Sequence, residues 1–134
     1  MTVGMDTSVV LRLLTGEPAV QAGAALRWLR EAKSMGMTPV ISDMVVSEVY
    51  FALQYHLGVS KAEALRHLAL FLAGGDVSSD GVAGILLKMP GLATGKPGFV
   101  DQMIHEQYLR GGATGMATFE RAARRLPRVV LLSD

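Results

Sequence analysis

Apolar positions along this chain fall into two patterns: short uninterrupted runs, and longer stretches in which they recur at helical spacing. The short runs predict strands over residues 2–5, 39–41, 113–117 and 129–132, with a brief edge strand at Val77. The longer stretches predict helices over residues 7–15, 19–35, 44–57, 60–73, 80–88 and 99–110, and a helical turn or two over 120–126. Residues 89–98 carry two prolines and three glycines and therefore predict a loop.

Capping residues and apolar stripes refine these helices. Ser42 or Asp43 is expected to cap the helix at residue 44, and residues 60–63 have the spacing of a capping box. The second helix carries apolar residues one turn apart on one face, with Leu29 beside them: Val20, Ala24 and Trp28.

Strands that alternate with helices predict an α/β fold in which a mainly parallel sheet is covered on both faces. The 134 residues contain no internal repeat and no domain boundary, so we expect a single domain over residues 1–134. Specifically, we expect a three-layer α/β/α arrangement around a short central sheet of four to five strands.

Composition narrows the setting in which the chain works. Half of the residues are hydrophobic and 19% are charged, which excludes a disordered chain. Cysteine is absent, so disulfides and thiolate metal sites are excluded and a reducing, cytoplasmic setting is expected. No apolar run is long enough to span a membrane, so we expect no membrane association.

The net charge is only +1, but the positive charge is concentrated near the end of the sequence. Glu120 is the only acid within a group of five arginines: Arg110, Arg121, Arg124, Arg125 and Arg128. Two interpretations stay open, a solvated helix face and a phosphate-binding patch beside an acidic centre.

Asp6 ends the first predicted strand and precedes a helix. It is either the cap of that helix or, if Thr7 or Ser8 caps instead, a functional acid at the carboxyl edge of the sheet, where ligands gather in open α/β folds. We favour the functional interpretation. Thr7 is a supporting candidate.

Three later acids are candidates for the same site. Glu48 is flanked by apolar residues in its helix, so we expect it to be buried and to need a partner or a metal ion. Asp101 lies in the first turn of a helix, where it either interacts with the helix dipole or has a function. His105, one turn later, is expected behind the site or on the surface. Glu120 follows a predicted strand, where Thr118 lies close enough to support it.

Carboxylates without sulfur or imidazole ligands suit Mg²⁺ or Mn²⁺. If Asp6, Glu48 and Asp101 meet at one edge of the sheet, with Glu120 nearby, one or two such ions would activate water for phosphodiester hydrolysis. Arg12 and the late arginines Arg121, Arg124 and Arg125 would then bind phosphates of the substrate.

The order and spacing of these residues resemble the PIN-domain family, and within it the VapC-like toxin ribonucleases of toxin–antitoxin pairs. The resemblance covers nearly the whole chain. It rests on four segments: Asp6-Thr7-Ser8, Ser47-Glu48-Val49, Phe99-Val100-Asp101 and Thr118-Phe119-Glu120-Arg121.

This resemblance implies a metal-dependent endoribonuclease that forms a homodimer and is inhibited by a cognate antitoxin protein covering its active-site groove. The helices within residues 44–72 are rich in apolar residues. These residues form part of a dimer face and of an antitoxin groove, or they all belong to the core of the domain, and both interpretations stay open.

The family usually has Asp where this chain has Glu120. That difference leaves open an alternative, a catalytically weak or inactive PIN-like domain that binds RNA or acts as a scaffold. A phosphate-ester hydrolase with Asp6 as covalent nucleophile is disfavoured, because Ser8 stands where that chemistry would use a second Asp.

Overall fold

Five short strands form two separate parallel sheets within residues 1–133, the part of the chain that the computed structural model describes. Strands β1 (Thr2–Gly4), β2 (Thr38–Ile41) and β3 (Ser78–Ser79) form one sheet in that order. Strands β4 (Met116–Thr118) and β5 (Val129–Leu131) form the other. The prediction of an α/β fold with parallel strands is confirmed, whereas the predicted central sheet of four to five strands is divided into three and two.

The division has a physical reason that the apolar pattern does not contain. A run of apolar residues predicts a strand, but the neighbour it pairs with depends on distant parts of the chain. Here β4 and β5 are joined by a short 3₁₀ helix (Arg121–Arg125), and their register pairs Met116 with Val129 and Thr118 with Leu131. Strands β4 and β5 therefore pair with each other and do not extend the first sheet.

The helices supply the crossovers that parallel strands require. Those of the described residues are α1 (Thr7–Thr15), α2 (Ala19–Ser34), α3 (Asp43–Tyr55), α4 (Lys61–Ala73), α5 (Ala83–Leu86) and α6 (Phe99–Arg110). The predicted bounds of α1 and α6 match, and the cap expected at Ser42 or Asp43 is Ser42, whose Oγ accepts a hydrogen bond from the Val45 amide at 3.2 Å. Within residues 1–133, no helix combines the length and the apolar character that crossing a membrane would require.

Other predictions of the fold were less accurate. The helix expected over 80–88 is confined to Ala83–Leu86, and the edge strand expected at Val77 lies at Ser78–Ser79. On α2, Val20 is 84% exposed, whereas Leu29 and Ala32 are buried. The buried residues of this helix therefore lie in its second half.

The core lies between the first sheet and helices α1, α3, α4 and α6. Its most deeply buried large side chains are Phe99, Ile41, Leu68, Val10, Val46, Val49 and Pro39. Together these positions fix the starts of α1, α3 and α6, and these helix starts carry or adjoin the candidate acids.

A buried carboxylate ties three helices together. Asp43 is only 7% exposed, and its two oxygens accept hydrogen bonds from the amides of Val82 (3.0 Å) and Ala83 (2.9 Å) at the start of α5. Its Oδ2 also accepts a hydrogen bond from the Gln107 side chain of α6 at 2.9 Å. The backbone at Gly81 approaches so closely that an added Cβ would lie 2.3 Å from Oδ2.

The β4–β5 pair is attached to the body of the molecule through α6 and the loop before it. His105 of α6 is buried, and its Nε2–H donates a hydrogen bond to the Pro127 carbonyl at 2.7 Å. Arg125 donates a hydrogen bond to the Lys96 carbonyl. Of the two positions expected for His105, the surface is wrong: the side chain is buried and attaches the segment leading to β5.

Candidate active site

Asp6 caps α1 with one oxygen and leaves the other exposed. Its Oδ1 accepts hydrogen bonds from the Ser8 hydroxyl at 2.7 Å and from the Val9 amide at 3.1 Å. No hydrogen bond among residues 1–133 engages Oδ2. The expectation that Thr7 or Ser8 would cap the helix in its place is wrong, since Ser8 donates to Asp6 instead.

These contacts also set the charge of Asp6. The Ser8 hydroxyl is the main cause that lowers the pKa of Asp6, and the Val9 amide adds to it. A lowered pKa means that the carboxylate is ionised throughout the neutral range. The cap and a role in a site are therefore compatible, because they use different oxygens.

Glu48 is exposed, which corrects the prediction that it is buried. Its apolar neighbours Val46, Val49 and Tyr50 face the core, while Glu48 shares the outer stripe of α3 with Phe51 and Tyr55. Flanking residues in sequence lie on other faces of a helix, so they do not report the burial of the residue between them. Glu48 therefore needs no buried partner.

Asp101 is exposed in the first turn of α6. Two adjoining depressions of about 290 and 260 Å³ meet at this residue. The first is also lined by Tyr55 and Lys61, and the second by Thr118 and Glu120.

Glu120 caps the 3₁₀ helix through its Oε1, which accepts a hydrogen bond from the Ala122 amide at 3.2 Å. The Thr118 hydroxyl accepts a hydrogen bond from the Glu120 amide at 2.9 Å. Thr118 thus orients the backbone of Glu120, as well as lining the same depression.

The first of these depressions shares Phe51 and Tyr55 with a third one. This third depression measures about 430 Å³ and is lined by Thr7 and Glu48 as well as by the two aromatic residues. We call the three together the acidic groove. Glu48, Asp101 and Glu120 thus line depressions that share residues with one another, whereas Asp6 lines none of them and only its neighbour in sequence, Thr7, does.

The donor chemistry of this groove fits a hard divalent cation, because its candidate ligands are carboxylate oxygens and threonine hydroxyls. Within residues 1–133, however, no group of three or more histidine, aspartate or glutamate side chains is gathered closely enough to hold a metal ion. The groove is therefore not a closed protein cage. Mg²⁺ is commonly held by one or two carboxylates together with substrate phosphates and water, which an open groove allows.

The predicted phosphate-binding arginines are divided. Arg121 and Arg124 are exposed just after Glu120, while Arg125 is committed to the Lys96 carbonyl. Arg12 donates a hydrogen bond to Gln21 at 2.7 Å and lines a mainly apolar groove of about 890 Å³ beside α1 and α3. That groove shares Ala52 and His56 with the depression that holds Glu48, but Arg12 itself lines none of the depressions of the acidic groove.

Sequence reasoning missed several residues that line the acidic groove. Lys61, at the start of α4, lies in the depression that holds Asp101. His56, just after α3, lies in the depression that holds Glu48. Phe51 and Tyr55 separate the two depressions, and only their i, i+4 spacing beside Glu48 gave a signal.

The family of the chain follows from comparison with known proteins. The model of the PIN domain matches residues 5–129, a range that contains all four candidate acids. The chain belongs to the PIN domain family. PIN domains are generally metal-dependent nucleases. None of the curated proteins compared with it shows a significant match.

Proposed function

We propose that this PIN domain is a metal-dependent endoribonuclease that hydrolyses RNA phosphodiester bonds and acts as the VapC-like toxin of a toxin–antitoxin pair. The observation that carries the proposal is that Glu48, Asp101 and Glu120 line adjoining depressions of one groove in a chain matched by the PIN model.

In this proposal Asp6, Glu48 and Asp101 hold Mg²⁺ or Mn²⁺, and Thr7, Thr118 and Glu120 support the ion or its waters. When bound, such an ion supplies activation of water and neutralisation of phosphate charge. Asp6 would contribute its unengaged Oδ2; the carboxyl is ionised at neutral pH, and the Ser8 hydroxyl lowers its pKa further. Glu120 has one oxygen engaged by the Ala122 amide and would contribute the other.

Phosphate binding is assigned to exposed cations at the rim of the groove. Arg121 and Arg124 follow Glu120 directly, and both are exposed. Arg125 is exposed as well; its Nε donates to the Lys96 carbonyl, and its terminal nitrogens are proposed to bind phosphate. Arg12 is not proposed for this role, because it lines the larger apolar groove.

The partner assignments rest on the resemblance to VapC-like proteins and on apolar surface. Large apolar side chains of α3 and α4 are exposed outside the acidic groove, including Met44 (73%) and Leu70 (58%). We propose a homodimer and a cytoplasmic antitoxin partner, with the apolar groove of about 890 Å³ as a seat for an apolar segment of that partner.

The proposal is tested by cleavage of single-stranded RNA with purified protein in Mg²⁺ or Mn²⁺ and in EDTA. Asp6→Asn and Asp101→Asn are expected to reduce cleavage more than about 100-fold, because even the outer partners of a metal ligand contribute about 10- to 100-fold. Asparagine keeps the cap at residue 6, so Asp6→Asn should fold normally. Glu31→Gln, an exposed acid on α2 outside the groove, is the matched control and should cleave as the wild type does.

Undiminished metal-dependent cleavage by Asp6→Asn would contradict the assignment of the site. RNA binding without any metal-dependent cleavage by the wild type would favour the alternative, a PIN-like domain that binds RNA and has lost catalysis.

A further inference from the structure

Two aromatic side chains of α3 are stacked on each other at the surface. The ring centroids of Phe51 and Tyr55 are 6.0 Å apart, and the ring planes are inclined by 24°. Phe51 is 40% exposed and Tyr55 77% exposed. Tyr55 is therefore the outer ring of the pair.

The pair is anchored to the core by further aromatic contacts. Phe51 lies 5.3 Å from Tyr50, and Tyr50 lies 5.2 Å edge-on from Phe99, with distances measured between ring centroids. Tyr50 and Phe99 are both buried. This row of rings leads from the interior to the surface and holds the inner ring of the exposed pair in place.

The pair also lies between the acids of the groove. Phe51 and Tyr55 line both the depression that holds Glu48 and the depression that holds Asp101. Lys61 lines the second depression, which brings a cation within the same surface. An aromatic face beside a cation suits a nucleotide, because the base stacks on the ring and the phosphate pairs with the ammonium group.

We infer that the Phe51–Tyr55 pair is a stacking platform for one unpaired nucleobase of the RNA, an inference that rests on the proposed nuclease function. The base lies on Tyr55, its phosphate is held by Lys61, and the backbone is thereby positioned along the acidic groove. Only an unpaired base has a face free to stack in this way, so the platform selects single-stranded RNA over duplex.

The occupant is a base rather than a second copy of the chain because the surroundings of the pair are charged. Carboxylates lie on both sides of it and Lys61 lies beside it. The cores of interfaces between protein subunits are depleted in charged residues.

The experiment measures binding of fluorescent oligo(A) RNA in EDTA, so that binding is read independently of cleavage. A second RNA carries the same backbone with abasic residues. Tyr55→Leu should weaken oligo(A) binding by about 5- to 150-fold, the range expected for one stacked base. It should leave abasic RNA unaffected.

Two control variants complete the design. Tyr55→Phe retains the ring and should bind oligo(A) as the wild type does. Val20→Ala removes an exposed apolar side chain of α2 outside the groove and should have no effect. Because Tyr55 is 77% exposed, its substitution should leave the thermal melting temperature unchanged.

If Tyr55→Leu weakens binding of oligo(A) and of abasic RNA equally, the inference is overturned. It is also overturned if the wild type binds oligo(A) neither in EDTA nor in Mn²⁺. If Tyr55→Leu instead changes only the sedimentation of the protein from dimer to monomer, the pair is an interface between copies and the inference fails. A base-dependent loss without any cleavage would leave the platform standing and refute the nuclease function. Metal-dependent cleavage by the wild type, together with no base-dependent loss in Tyr55→Leu, would support the nuclease function and refute the platform.

Discussion

Asp6 shows how one carboxylate can serve both stability and a site. Its Oδ1 satisfies the first turn of α1, and its Oδ2 faces outward. The sequence alone presents Asp6 either as the cap of α1 or as a ligand. In the structure one oxygen caps the helix and the other accepts no hydrogen bond among the described residues, so the two roles are compatible. The same division is seen at Glu120, which caps the 3₁₀ helix through Oε1.

The lowered pKa of Asp6 predicts a specific dependence on pH. A carboxyl whose pKa is lower in the folded state stabilises the fold above its unfolded pKa, and that contribution is lost as the pH falls through the folded value. Ser8→Ala removes the main cause of the shift, so the pKa of Asp6 should rise towards its ordinary value of 3.8. NMR titration of the Asp6 carboxyl carbon measures this directly.

Ser78→Ala is the control for that titration, because Ser78 is an exposed serine on β3 with no contact to Asp6. An unchanged Asp6 pKa in Ser8→Ala would show that the hydroxyl does not set the charge of this carboxyl.

Among the glycines of the described residues, Gly81 leaves the least room for a Cβ atom. A Cβ at this position would lie 2.3 Å from Asp43 Oδ2 and 2.5 Å from Oδ1, so the carboxylate would have to move away from Val82 and Ala83. Gly81→Ala should lower the free energy of unfolding by about 1–3 kcal/mol. Urea denaturation followed by circular dichroism measures the loss.

Gly4→Ala is the matched control, since nothing lies within 4 Å of the Cβ position there. It should be neutral or slightly stabilising. Equal stability of the Gly81 and Gly4 variants would mean that the Asp43 carboxylate can be displaced freely.

At the scale of elements, the sequence predicted best where the determining signal is local. The bounds of α1 and α6 follow from the glycines after them and from the residues that begin them, and Ser60 was correctly placed at the start of α4. Each of these signals acts within one helical turn.

The errors arose where distant residues decide the outcome. The partners of Asp43 are 39 to 64 residues away in the sequence, so its role in joining α3, α5 and α6 left no local pattern. The separation of β4 and β5 from the first sheet is likewise decided by pairing at long range. For the site, the sequence named all the acids of the groove, but it misjudged the burial of Glu48 and missed the aromatic pair.

The β4–β5 pair should open more easily when its attachment to α6 is cut. His105→Phe fills the buried space but removes the donor to the Pro127 carbonyl. The loss of such a bond, at about 1–3 kcal/mol, should speed amide exchange of Met116 and Leu132 by roughly 5- to 150-fold. Hydrogen exchange followed by NMR measures these amides, which bond to Arg128 and Thr118.

The Met5 amide is an internal control in the same sample, because it donates to Val40 in the first sheet. Equal acceleration at Met5 would show that His105 stabilises the whole molecule rather than the attachment of the second sheet.

At the scale of the whole molecule, a net charge of +1 provides little long-range attraction for a polyanion. Binding of RNA must therefore depend on where individual cations lie. Arg121 and Arg124 are exposed beside Glu120, whereas Arg110 is paired with Glu106 at 2.7 Å.

This distribution predicts the dependence of RNA binding on salt. Removing one phosphate contact should reduce the slope of log K against log salt by about 0.7 for a single strand. Arg121→Ala and Arg124→Ala should each show that reduction in fluorescence anisotropy titrations. Arg30→Ala, an exposed cation on α2, is the matched control, and a similar reduction there would mean that binding is spread over the surface.

The buried Asp43 has a consequence for any genetic study of this protein. It joins α3, which carries Glu48 and Tyr55, to α6, which carries Asp101, so it spaces the two walls of the acidic groove. Alleles that replace it should score as loss of function at high temperature and recover in the cold, because they loosen the groove without altering its chemistry. Alleles of Asp6 or Asp101 should be inactive at every temperature, and this contrast separates a structural acid from those proposed to act on RNA.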